Sequence, residues 1–383
     1  MEVSIGSEEK TLRTIRHLLH SEPELSGGEE ATASRVAEIL SSYAPAKLLT
    51  NLGGHGVAAE FEGSSPGPRI LLRCDMDALP INESATLPHA STRRGVSHKC
   101  GHDGHMAIML GVAGRLSRRP PASGSAVLLF QPEEETGLGA RKILDDPAFG
   151  EISPSMAFAV HNLPGFPLGS VILAGGPFAS ASRGMAVYLR GESSHASEPQ
   201  LGRSPAMAAA HLIQAFTDLP QTAVAMDRGA KATVIHVRIG EEAYGTSPGE
   251  GKVLVTLRAH DQETLSILAG KAGELAGDIA RAYGLDPRIS WTQEFPSTVN
   301  DPGAVSIVNL CAQRLGMELI IRTEPFPWSE DFGHFTGICP GALFGLGSGE
   351  DHPALHSPEY DFPDELIAPG AALFMEILEE TLG

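Results

Sequence analysis

The chain has 383 residues, of which 42% are hydrophobic and 20% charged, and a formal net charge of −19. That is ordinary globular sequence, long enough for two domains with cores of their own. So acidic a chain offers no basic face to phosphates, which excludes nucleic acid as a partner, and no apolar run approaches the roughly 18 residues of a membrane span, which excludes a membrane.

The first ten residues lack the charged and apolar regions of a signal peptide. The cysteines at 74, 100, 311 and 339 form no paired framework, a pattern that predicts a reducing cytoplasm. Residues 7–20 and 28–42 read as amphipathic helices. From about residue 56 strands and helices alternate: 57–61 and 69–73 as strands, 104–116 as a helix, 125–131 as a strand, 139–144 as a helix, 156–161 as a strand. The cations Arg115, Arg118 and Arg119 read as a solvated helix end. Such alternation predicts an α/β fold with a layered mixed sheet.

Near Ser182 the texture changes. Strands at 184–191, 232–239, 252–260 and 288–292 and helices at 203–219 and 263–283 follow the order strand, helix, strand, strand, helix, strand. That order predicts a ferredoxin-like α+β domain over 182–292, inserted between two parts of a catalytic domain, 1–181 and 293–383.

The chemistry lies where apolar strands run out. Ile70-Leu71-Leu72 runs into Asp75 and Asp77, and Leu128-Leu129-Phe130 into Glu133-Glu134-Glu135. Ala157-Phe158-Ala159-Val160 runs into His161, and Leu343-Phe344-Gly345-Leu346 precedes the loop holding His356. Open α/β sheets bind ligands beyond the carboxyl ends of their strands, so these segments are expected to meet in one crevice. Cys100-Gly101-His102-Asp103-Gly104-His105 adds a thiol, two imidazoles and a carboxylate within one turn. That mixture of soft and borderline donors points to metal, and the whole reads as a two-metal hydrolase.

Cys100, His102, His161 and His356 read as ligands; His105, opening the next helix, caps or packs and is left out. Adjacent glutamates diverge, so one carboxylate of the run can bind metal while its neighbour takes a proton from water. Asp75 and Asp77 share one face of an extended strand, to bind metal directly or orient its ligands. Asp103 is either a helix N-cap or, the preferred reading, a partner that orients a ligating imidazole. Ser329-Glu330-Asp331-Phe332 lines the pocket or caps a helix, and Arg258 is a surface charge or a carboxylate anchor. His195, far along in the inserted domain, has a structural role as its plain alternative.

Arg73-Cys-Asp-Met-Asp-Ala-Leu-Pro80, the hexapeptide at 100–105, Phe130-Gln-Pro-Glu-Glu-Glu135, Ser329-Glu-Asp-Phe332 and Leu355-His-Ser-Pro358 occur in order. Together they give a chain that resembles the amidohydrolase branch of the aminoacylase and carboxypeptidase metallopeptidases, from His20 to Asp364. The resemblance implies two divalent ions (zinc, manganese, cobalt or nickel) bridged by Cys100. One ion would take His102 and His161, the other Glu135 and His356. It further implies Glu134 as general base and His195 as oxyanion donor, in many relatives from the partner subunit of a homodimer. The inserted domain would be lid and dimerisation surface, and the substrate a small amide such as an N-acyl amino acid. Where relatives carry Asn-Val-Ile-Pro in the lid, this chain has Tyr244-Gly-Thr-Ser-Pro248. Ser193-Ser194 replaces Gly-Gly before His195, and Lys99 stands where a small residue is common. The alternatives are a dipeptidase or a hydrolase of an aryl or secondary-metabolite amide, and, from another class, a non-catalytic metal- or ligand-binding relative.

Overall fold

The computed structural model describes residues 5–84 and 86–383. Residues 1–4, part of the stretch examined for a signal peptide, lie outside the described residues. The chain forms two compact units. The first runs to Phe178 and resumes over Thr298–Glu324 and Asp331–Gly383; the second comprises Ala179–Ser297 and Pro325–Glu330.

An eight-stranded sheet organises the first unit, in the order Lys47–Leu52, Gly56–Glu62, Ser123–Gln131, Ser65–Asp75, Met156–Leu163, Gly341–Gly347, Val171–Ala174, Leu319–Arg322. From Ser123–Gln131 to Gly341–Gly347 the four central strands are mutually parallel, so they end on one edge of the sheet. Their inner residues are apolar and buried on both faces, as parallel strands require. Register aligns the ends: Asp75 lies level with Gln131, and Gly345 with His161.

The helix His102–Leu116 is the centre of this unit: of its residues only Arg115 is not buried. It packs against the helices Ile5–Ser21 and Ile367–Leu382. Burial of Ile108, Leu110 and Val112 stabilises that packing by roughly 1.5–3 kcal/mol for each side chain. A helix apolar on all sides has nowhere else to sit. Its first turn, with two histidines and an aspartate, is therefore carried into the interior. Among the described residues no helix is long and apolar enough to cross a membrane.

In the second unit a four-stranded antiparallel sheet has the order Lys231–Ile239, Glu250–Ala259, Ala181–Arg190, Asp286–Phe295. The helices Ala206–Ala223 and Gln262–Ala282 cover one face through Met185, Val187, Leu212, Phe216, Leu268 and Ala272. Pro325–Glu330 clusters here because Ser180 N–H donates to Phe326 O (3.1 Å) and Trp328 O (3.0 Å). The outer strands Lys47–Leu52, Val171–Ala174 and Leu319–Arg322 and the helices Pro302–Arg314 and Ile367–Leu382 have no counterpart in the reading from sequence.

Candidate metal centre

Two glycines bring the buried helix up to the sheet edge. Gly101 has φ +91°, and a Cβ there would meet Asn162 Oδ1 at 2.6 Å. A Cβ on Gly104 would lie 2.2 Å from the Phe362 ring. Without side chains at either position, the helix start closes on the strand end, and Cys100 Sγ comes to 3.5 Å from His161 Nε2.

The imidazoles are aimed by what holds their other nitrogen. His102 Nδ1 donates to Asp77 O (2.8 Å), and His161 Nδ1 to Asn162 O (2.9 Å). Each Nε2 is left facing the centre, the usual arrangement behind a metal-bound histidine. Asp77 also holds the acidic turn, accepting from Glu134 N (3.2 Å) and Glu135 N (3.0 Å), with Ser26 Oγ donating at 2.7 Å. Glu133 starts that turn with φ +56° and pairs its side chain with Lys142. Glu134 and Glu135 turn inward instead, so the three glutamates diverge. His356 is fixed at φ +65°, its N–H donating to Lys99 O (2.8 Å), and its half-exposed ring reaches within 3.7 Å of Glu135 Oε1. A left-handed histidine is strained backbone that the surrounding contacts must enforce.

Among the close sets of potential ligands are Cys100 with His102 and His161, and Cys100 with Glu135 and His356, the donor atoms of each lying within 4.8 Å of one another; His102 with Glu134 and Glu135, and with Asp75 and His105, forms others. The first two share the thiol. His102 Nε2 and Glu135 Oε1, 3.9 Å apart, are buried without a hydrogen-bond partner. A buried polar atom left so is costly unless something fills the gap. Electrostatics agree. Burial, with the charges of Glu135 and Glu134, raises the Cys100 thiol well above its usual range. Burial and Asp77 raise Glu135 to about 7. Burial lowers His102, but Asp75 and Asp77 outweigh it and push the imidazole up to about 10. Burial and His105 lower His161 to about 3. The cluster thus gathers protons to offset its own anions, and a divalent cation would replace them. Thiolate, imidazole and carboxylate suit zinc, manganese, cobalt or nickel, so the residues fit the group.

The remaining expected residues have the following surroundings. Both ring nitrogens of His105 are occupied: Nδ1 donates to Asp75 Oδ1 (2.6 Å) and Nε2 accepts from Asn162 N (3.3 Å). Asp75 is also held by Arg73 Nη1 (2.9 Å). Asp103, read as orienting a ligating imidazole, instead hydrogen-bonds groups outside the two sets. One residue beyond His102, it is rotated about 100° around the helix and accepts from Arg16 Nη1 (3.0 Å) and His20 Nδ1 (2.9 Å). Asp77 does the orienting. In the second unit, His195 is exposed, and its Nδ1 accepts from Ser197 N (3.1 Å), which leaves the outward Nε2 as the N–H donor. Arg258 donates to Ser329 Oγ at 2.8 Å. Arg73, Gln131 and Asp331, all fully buried, were not expected to be joined; the signal was a charge at Arg73 inside an apolar strand.

A profile of the peptidase family M20/M25/M40 matches residues 71–380. The chain is 31% identical to the N-acetyl-L-cysteine deacetylase of Bacillus subtilis over 99% of its own length and 90% of the relative's. Against the hippurate hydrolase of Campylobacter jejuni the identity is 30%, covering 95% and 94%. Among solved structures, the Bacillus subtilis YXEP protein, a dinuclear metal binding peptidase from M20 family, superposes with a TM-score of 0.82 at 27% identity, covering 99% of each chain.

Proposed function

Because the chain belongs to peptidase family M20/M25/M40 and is a metal-dependent amidohydrolase, we propose that it hydrolyses N-acyl amino acids or similar small amides at a pair of divalent ions. Cys100, His102 and His161 would hold one ion, and Cys100, Glu135 and His356 the other. The observation that carries this reading is the pair of ligand sets sharing Cys100 around unpartnered His102 Nε2 and Glu135 Oε1.

When bound, the ions supply Lewis acidity, lowering the pKa of water and polarising the scissile carbonyl. Glu134 lies with His102 and Glu135 in one close set but is left out of both shells. It takes the proton of the attacking water and returns it to the departing amine. His195, with its Nε2–H facing outward, donates to the oxyanion. Arg258 anchors a substrate carboxylate, and the second unit serves as lid and dimerisation surface. Lys231–Ile239 is an edge strand with exposed Ile235, a template for a homodimer. The unpaired cysteines favour the cytoplasm.

The test is hydrolysis of N-acetyl, N-benzoyl and dipeptide substrates by chelator-stripped protein restored with zinc, manganese, cobalt or nickel. Cleavage that returns at about two metals per chain is expected. Absence of stoichiometric metal in every sample would refute the reading. Preference for dipeptides or aryl amides would place the substrate elsewhere, consistent with Tyr244-Gly-Thr-Ser-Pro248 in the lid.

A further inference from the structure

We propose that Asp331 is a positioning residue for the hydrolysis assigned above, its carboxylate fastening both ends of the loop at 131–140 that carries Glu134 and Glu135. Asp331 is fully buried. Its Oδ1 accepts from Arg73 Nη2 (2.7 Å) and Gln131 Nε2 (2.9 Å). Its Oδ2 accepts from the same Gln131 Nε2 (2.8 Å) and from Ala140 N (2.9 Å). Gln131 is the last residue of the strand before the loop, and Ala140 lies in the first turn of the helix Gly139–Asp145 after it. One carboxylate, distant in sequence, therefore spans the loop from its outer side, while Asp77 holds the amides of Glu134 and Glu135 from the inner side.

Arg73 pairs with this carboxylate and spreads the restraint. It donates through Nε to Gln131 Oε1 (2.8 Å) and through Nη1 to Asp75 Oδ2 (2.9 Å). Asp75 holds His105, whose Nε2 accepts the N–H of Asn162, next to His161. The chain of contacts thus joins the strand end before Glu134 to the strand end bearing His161. Charge-assisted hydrogen bonds of this kind, shielded from water, fix geometry more firmly than neutral ones. Asp331, Arg73 and Gln131 belong to neither ligand set, so their effect on chemistry passes through the loop and through Asp75, whose Oδ2 lies 3.7 Å from His102 Nε2.

The experiment compares Asp331→Asn with wild type in kcat, KM, bound metal and residue-resolved hydrogen exchange. Asn keeps the volume but lacks the charge and one acceptor oxygen. Expected are a fall in kcat of about 10–100-fold, the range for residues that orient site groups, little change in KM, and metal near the wild-type content. Exchange should speed up at Ala140 and the amides of Glu134 and Glu135 without a general rise. Gln131→Met removes the strand-side tether and leaves the Asp331–Arg73 pair in place; it should show the same signature more weakly, and decides the matter if Asp331→Asn does not fold. Unchanged kcat, or unchanged exchange at 131–140, overturns the proposal. So does protection lost evenly across the first unit, which marks a general structural role. The catalytic consequence rests on the amidohydrolase reading. If metal-loaded wild type cleaves no amide, that reading fails alone, and the exchange pattern still tests the loop clamp.

Discussion

Around His102, thiol, imidazole and carboxylate donors converge on one another; around His20 and Asp103, equally buried groups are tied into ion pairs of opposite charge. Arg16 Nη1 binds Asp103 (3.0 Å) and Asp361 (2.8 Å), and Arg16 Nε meets Asp364 at 2.6 Å. His20 spans Asp103 (2.9 Å) and Glu83 (3.0 Å). Lys99 Nζ donates to Tyr360 O (2.7 Å) and pairs with Glu83. Cations answer anions there. In the other cluster carboxylates and a thiol outnumber their counter-charges, and His102 Nε2 and Glu135 Oε1 have no partner. Neither burial nor a missing hydrogen bond marks a site by itself, since Asp103 Oδ1 and both nitrogens of His98 also lack one; a shared set of thiol, imidazole and carboxylate donors does. The boundary cuts through one hexapeptide, since Cys100 and His102 belong to one cluster and Asp103 to the other.

Four substitutions or conditions would sharpen or break that contrast. The largest effect is expected from Glu134→Gln, with kcat falling by about 10²–10⁴-fold, the usual worth of a general base, while metal content stays at the wild-type value. Metal lost together with activity would make Glu134 a ligand instead. Asp103→Asn should leave metal content alone and destabilise the fold by about 3–5 kcal/mol, as breaking a buried ion pair does. Denaturant unfolding and metal analysis of the same sample read both, and a metal-poor but stable variant would erase the distinction between the clusters.

A third expectation concerns pH. Burial lowers His20, but Asp103 and Glu83 outweigh it and push the imidazole up to about 9. Its stabilising contribution is therefore complete below the unfolded value near 6.5 and is lost as pH rises through about 9. The loss amounts to something on the order of 3 kcal/mol. Unfolding of metal-free protein between those pH values should show this decline, and His20→Gln should flatten it. An equal slope in the variant would contradict the account. The smallest effect is that of Asp77→Asn, which keeps the backbone carbonyl that holds His102 but removes the carboxylate charge beside it and loosens the acidic turn. Metal affinity or activity should drop about 10–100-fold, measured by competition with a chelator, and an unchanged affinity would remove Asp77 from the centre.

Much of this arrangement is legible in the sequence because it is local. Apolar runs ending in acids or histidines mark strand ends, and parallel strands bring those ends to one edge. The close donor spacing at 100–105 identifies the chemistry. The choice between Asp77 and Asp103 as the partner of His102 is not local. It follows from the rotation of one buried helix about its axis, which turns Asp103 toward Arg16. Arg16 and His20 lie one helical turn apart on the face that also buries Leu12 and Leu19, and charges on such a face are the trace the closed cluster leaves in sequence. Lys99, odd for its position, is explained by Glu83 and Tyr360 O. Lys47–Leu52 and Leu319–Arg322 escaped notice because they are short and partly exposed, with no sustained alternation, and Val171–Ala174 because a buried run of four residues carries no periodicity.

The central claim is that one thiolate serves two ions. Anomalous scattering from metal-loaded crystals tests it most directly. The account predicts two peaks per chain, both at about 2.3 Å from Cys100 Sγ if the metal is zinc, one beside His102 and His161 and the other beside Glu135 and His356. A single peak, or two peaks of which only one touches Cys100, would contradict it.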